Sequence, residues 1–324
     1  MSTSSNNTLY TLIAVSLMIS SAHADNPIKG APHWSTPARG ISLESEEKPQ
    51  ANIMLLLNIS GSSKKYSQQQ IDDKFNAPDW FPNRHGQMPD IVKSGKAPKV
   101  WACASCHLTS GAGHPESASL AGLDSQYLQN QMYAFANGSR LDYSGHMNRM
   151  SKALSKAEIK EVSDWFSNLP PRKVTKVVET STVLKTYIDD TRMRLFSQPP
   201  TMEAIGTRII EIPDHVLDVK KRNPEGTFIS YVPQGSVARG KKLVSMGNGK
   251  TIPCSGCHGT DLSGSTIAPS IVGNFASYTV RQLHGFKGKT RKGGQAVMMQ
   301  GVVNDLTDED IVDISAYLTS LPVN

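Results

Sequence analysis

The chain has little cysteine, few aromatic residues and no strong charge excess. Only four of its 324 residues are cysteines, and all four fall within two pentapeptides, so none is spare for a disulfide. Aromatics make up 6% and hydrophobic residues 38%, an ordinary globular balance that argues against disorder and against a multi-span membrane protein. The formal charge is +6, and no run of lysine or arginine points to nucleic acid. At this length two or three domains are expected.

What is present is Cys103-Ala-Ser-Cys106-His107 and, 151 residues later, Cys254-Ser-Gly-Cys257-His258. A Cys-x-x-Cys-His run is the attachment site of a c-type haem. The two thiols add to the vinyl groups as thioethers, and the adjoining histidine becomes the proximal iron ligand. A zinc site would need a second Cys-x-x-Cys close by, which the wide separation denies. A thioredoxin-like pair is the other minor alternative. The expected cofactors are therefore two covalently bound haem c groups, held by Cys103, Cys106, Cys254 and Cys257, with His107 and His258 on the irons.

The surrounding sequence is also repeated. At the 151-residue offset Leu120 matches Ile271, Gly122 matches Gly273 and Tyr127 matches Tyr278. Gln131 meets Gln282, Phe135 meets Phe286 and Arg140 meets Arg291. One inserted residue then shifts the offset to 152, and Leu154-Ser155 aligns with Leu306-Thr307. The pattern predicts a helix over 124–137, stopped by Gly138, and another over 155–168. Ser155 and Glu158 form a capping box there, with Ile159, Val162, Trp165 and Phe166 as the buried stripe.

A haem that only transfers electrons usually carries a second protein ligand. Met147 pairs with Met299 across the repeat, each seven residues before the leucine that opens the last helix. A thioether favours Fe(II) and raises the potential. His146 offers a bis-histidine alternative for the first site, but the second copy has Met298 there. Met150 aligns with Val302 and reads as secondary, as does Met298. Met88 and Met246 read as packing residues, and His114 and His284 as solvent-facing histidines. Pro89 suits the first turn of a short helix.

These motifs resemble the class I c-type cytochromes, in particular the tandem two-haem, cytochrome c4-like group. The resemblance rests on both Cys-x-x-Cys-His motifs, on Gly122 to Gln131 and Gly273 to Gln282, and on the methionine before each final helix. It implies about four helices around each haem, and a Pro269 carbonyl that accepts the N–H of His258; the first copy has Ala118 there. The fold expected is mainly α: two class I cytochrome c helical domains, 80–171 and 234–324, joined by a connector, 172–233, with short β-strands. An N-terminal extension, 25–79, precedes them, and it departs with the connector from the compact family form.

The function expected is an exported dihaem c-type cytochrome that passes single electrons between periplasmic redox proteins, with a membrane-bound oxidase or reductase as a possible partner. No base, nucleophile or substrate pocket can be read from the chain, so it is expected to be a carrier and not an enzyme. One alternative is the electron-accepting subunit of a periplasmic dehydrogenase, docked through 25–79 and 172–233. The other is a dihaem peroxidase-type enzyme, which needs a displaceable iron ligand. Cysteine ligation resembling that of some thiosulfate-oxidising enzymes would require a fifth cysteine. The mild charge neither demands nor excludes an acidic redox partner.

Residues 1–24 read as a signal peptide for export to the periplasm. Leu9 to Ile19 is apolar but too short to span a bilayer, and Ala22-His23-Ala24 is a cleavage site, although no lysine or arginine precedes the apolar run. Protein exported by its own signal should begin at Asp25 on N-terminal sequencing. A membrane-pelleting chain that still carries Tyr10 would show an uncleaved anchor instead.

Overall fold

The computed structural model describes residues 28–36, 55–189 and 193–323. The signal segment with its Ala24 cleavage site lies outside these residues, as does much of the extension.

Short elements open the chain. They are a 3-10 turn (His33–Ser35), a two-stranded antiparallel ladder of β1 (Leu56–Leu57) and β2 (Tyr66–Ser67), and the helical turns α1 (Gln68–Asp72) and α2 (Asp90–Lys93). Pro89 stands at the cap of α2, one residue before the expected first turn, and its carbonyl accepts the N–H groups of Val92 and Lys93. Ile59, Ile71, Trp80 and Phe81 form a small apolar cluster here. The Trp80 indole donates to the Lys221 carbonyl at 2.9 Å, which ties the extension to the connector.

The first helical unit holds α3 (Ala104–His107), α4 (Ser125–Asn137), α5 (His146–Lys152) and α6 (Lys156–Ser167). Asp124 caps α4 by accepting the Tyr127 N–H, and Gly138 closes it in the left-handed conformation. Ser155 and Glu158 form the capping box of α6. The stripe Ile159, Val162 and Phe166 is buried, and Trp165 packs half-buried at its edge.

The connector is built as a sheet and a ribbon. β3 (Thr175–Thr180) runs parallel to β9 (Phe228–Pro233), which pairs antiparallel with β8 (Ile210–Pro213). Between them β4 (Thr182–Leu184) pairs with β7 (Met202–Ala204), and β5 (Thr186–Ile188) pairs with β6 (Arg194–Phe196). A short α7 (Val216–Lys220) follows β8.

The second helical unit holds α8 (Ser236–Met246), α9 (Ser255–His258), α10 (Ala276–Lys287), α11 (Ala296–Val303) and α12 (Asp308–Ser320). Helices α8 and α12 cross at Gly240, where an added Cβ would lie 2.0 Å from the Asp313 carbonyl oxygen. Only glycine lets the two backbones approach so closely. The cap of α10 differs from that of its counterpart α4. Phe275 stands where the first copy has Asp124, and it offers no side-chain acceptor. Glu211 of β8 supplies the missing carboxylate: it accepts from the Ala276 N–H at 2.8 Å, the Ser277 N–H at 2.9 Å, and both the Ser277 and Ser230 hydroxyls. The connector thus completes the second unit.

Two expected placements are corrected. His284 is 2% exposed, not solvent-facing, because the 28–36 segment lies over α10, with the Lys29 carbonyl against Gly288. Met246, expected to pack, is 64% exposed at the end of α8.

Candidate functional site

Each Cys-x-x-Cys-His motif folds as a single helical turn, in which residues three and four apart share a face. The His107 N–H bonds the Cys103 carbonyl at 2.9 Å, and His258 bonds Cys254 at 3.0 Å. This local geometry brings two sulfurs and one imidazole to the same side of the turn. All four cysteines are free. Burial pushes the Cys103 thiol up to about 12 and Cys254 up to about 11, so both are protonated at neutral pH.

The two imidazoles are fixed in the same way. Nδ1 of His107 donates to the Ala118 carbonyl at 2.9 Å, and Nδ1 of His258 donates to the Pro269 carbonyl at 2.7 Å. The carbonyl at the Ala118 position therefore serves without proline. The loop that presents it turns at Gly113 (φ +67°), where a Cβ would come within 2.3 Å of the Ser117 carbonyl oxygen. Burial lowers the His107 pKa to about 4 and lowers that of His258 too, against the raising effect of each carbonyl bond. Both rings are neutral at pH 7, with Nε2 left for a metal.

In the second unit Cys254, Cys257, His258, Pro269 and Met299 line one cavity of about 570 Å³. That volume is of the size that takes a cofactor. Met298 also lines it and is 56% exposed. In the first unit Met147 is half-buried on the first turn of α5, its N–H bonded to Asp142 Oδ2 at 3.2 Å. Nearby Asp142 works to raise the pKa of both Cys106 and His107, a smaller effect than that of burial. The His146 ring lies 4.6 Å from Trp101, and Met150 is buried. His114 is half-buried and bonded to Glu116 at 2.8 Å.

The feature not anticipated from sequence is what the repeated Tyr, Gln and Arg residues do together. Arg140 and Arg291 form an antiparallel bridge between the two helical units. Arg140 donates to Gln131 of its own unit at 2.8 Å, and across the junction to the Tyr278 hydroxyl at 3.1 Å and Gln282 at 2.8 Å. Arg291 mirrors this, donating to Gln282 at 3.0 Å and across to the Tyr127 hydroxyl at 2.9 Å and Gln131 at 2.9 Å. Each guanidinium also lies on the phenylalanine of its own unit, Phe135 at 4.5 Å and Phe286 at 4.4 Å. The signal available in the sequence was the recurrence of polar residues on helix faces that also carry core positions.

Among the described residues the two buried cations have no carboxylate partner, and Arg291 Nε has no acceptor. Burial and the like charge of Arg140 lower the Arg291 pKa. Two desolvated like charges facing each other are costly unless an anion joins them. The cavity beside His258 is lined by Tyr127, Gln131 and Arg140 of the first unit as well as by Arg291. A haem, apolar in its body and carrying two carboxylates at one edge, fits both the cavity and this pair of cations.

A family model for cytochrome c matches residues 237–322. Cytochrome c-554(548) of Halomonas halodenitrificans is 40% identical over 75 residues, covering 23% of this chain and 90% of that protein. A thiosulfate dehydrogenase electron acceptor of Thiomonas intermedia is 25% identical over 232 residues, 70% of this chain and 82% of that one. A cytochrome c4 of Stutzerimonas stutzeri is 28% identical over 139 residues, 39% of this chain and 66% of that one.

Arg140→Met in the haem-loaded protein should destabilise both units together, because it removes donors from each. The expected loss is about 2–5 kcal/mol in denaturant unfolding followed by the Soret band, the scale for truncating one member of a buried charged network. Arg140→Lys keeps the charge but not the fork and should recover only part of it.

Proposed function

The chain belongs to the cytochrome c family, in its two-haem c4-like form, and from that premise we propose an exported relay that passes single electrons between periplasmic redox partners. Its cofactors are two covalently bound haem c groups. The proposed assignment gives Cys103 and Cys106 to one and Cys254 and Cys257 to the other. His107 and His258 are the proximal ligands, and Met147 and Met299 the distal ones. When bound, the haem iron supplies the one-electron redox chemistry, and the protein supplies binding, orientation and electrostatics.

The observation that carries this reading is the pair of neutral, buried imidazoles, each with Nδ1–H held by a backbone carbonyl and Nε2 free. The carbonyl bond fixes the ring plane and makes the nitrogen a better donor to a metal. Met299 stands on the wall of the same cavity as His258. A histidine and a methionine on each iron would leave no open position for a small substrate, which favours a carrier over a peroxidase-type enzyme. Arg140 and Arg291 would hold the carboxylate edges of the cofactors at the junction and offset their charge.

Export is supported by the apolar segment and the cleavage site in residues 1–24. Among the described residues no helix is long and apolar enough to cross a membrane. The Thiomonas relative, aligned over 70% of this chain, supports the second reading, an electron-accepting subunit for a dehydrogenase.

The distal ligands test the proposal. Met147→His should keep a six-coordinate iron, lower the potential of that haem and abolish its ferric methionine–iron charge-transfer band, because a thioether favours Fe(II) and an imidazole does not. Met299→His should do the same at the other haem. An unchanged potential and an unchanged band in either variant would refute that ligand.

A further inference from the structure

The two motifs hold their histidines in the same way but have different rims. Beside the first motif stands Trp101, half-buried, with Lys74 Nζ 4.5 Å from its ring centroid and Arg149 Cζ at 4.9 Å. The His146 ring packs against it as well. Arg222 donates to the Ser105 carbonyl at 2.6 Å, within the motif itself. Lys74 and Arg149 are exposed, and neither meets a carboxylate among the described residues. Two acids of the same region are engaged with backbone: Asp73 takes the Phe75 N–H at 2.8 Å, and Asp142 takes the Met147 N–H.

The repeat places the corresponding residues of the second site. Ile252 stands for Trp101, Met298 for His146 and Gly301 for Arg149, while Lys74 belongs to the extension and has no counterpart. Ile252 is 54% exposed, Met298 56% and neighbouring Val297 60%. Lys250, close in sequence, is bound to Asp310 at 2.8 Å. One rim is thus cationic and aromatic, whereas the matching positions of the other hold Ile252, Met298 and Gly301. A mild net charge conceals this difference.

We propose that the Lys74–Trp101–Arg149 face beside the first haem motif is the docking surface for a redox protein with an acidic rim. The proposal rests on the carrier reading above. Two exposed cations on one indole put positive charge at the surface beside the motif, which complements an acidic partner surface. Cation–π contact keeps each head group in place without neutralising it. Unpaired exposed cations steer an acidic partner towards the site and raise the encounter rate, with a contact small enough to release afterwards.

The test uses the haem-loaded full chain on a gold electrode coated with a carboxylate-terminated monolayer, the acidic probe, at low ionic strength. The double variant Lys74→Glu/Arg149→Glu is compared with Lys241→Glu/Lys242→Glu, an equal charge change on exposed residues of α8. The interfacial electron-exchange rate should fall by about tenfold or more in the first and stay within about twofold in the second, and the difference should shrink at high salt. Equal losses in both doubles, or no loss in either, would overturn the proposal. If the loaded wild-type protein gave no current on any monolayer, the carrier reading would fail, and the docking proposal with it.

Discussion

The structure depends on a clasp of two buried arginines. Arg140 and Arg291 each bind a glutamine of their own helical unit and a tyrosine and glutamine of the other. Such an arrangement is self-complementary: the same three residue types, supplied twice, satisfy one another only when the two units meet face to face. It is also electrostatically incomplete, with two desolvated cations that meet no carboxylate of the described residues. An anionic cofactor edge at this junction would complete the arrangement, and cofactor binding and the meeting of the two units would then belong to one interaction. That physical link accounts for a cavity that holds His258 and Met299 yet is walled by Tyr127 and Arg140 of the other unit.

The connector and the extension serve the same end. Where the first copy caps α4 with its own Asp124, the second has Phe275 and takes a carboxylate from Glu211 of the connector. Arg281, 2% exposed, donates to the Ser35 carbonyl of the N-terminal segment and to the Pro115 carbonyl of the first unit. These contacts join the connector, the 28–36 segment and the first helical unit around α10. A relay whose two sites must keep a constant separation benefits from such cross-bracing, because electron transfer between fixed sites tolerates little change in their spacing.

Much of this was legible in the sequence because it is local. The motif turns, the Ser155–Glu158 box and the Gly138 stop each depend on spacing within one element. The clasp was visible only as recurrence, since equal residues at equal positions do not reveal that they bind across copies and not within them. The burial of His284 was hidden for a similar reason: the segment that covers it is some 250 residues away in sequence. Met246 read as packing by its place before the motif, but it stands exposed at the end of α8. The rim asymmetry needed both levels, the repeat to pair Trp101 with Ile252 and the structure to bring Lys74 beside Trp101.

The central claim is that both irons are closed by protein ligands and exchange only electrons. It is tested most directly by mixing the fully reduced, haem-loaded protein with carbon monoxide and following the Soret band. Two closed sites should leave the band unchanged over seconds, with at most a slow, partial shift as a ligand is displaced. A rapid, stoichiometric shift of either haem would contradict the claim and show an iron open to small molecules.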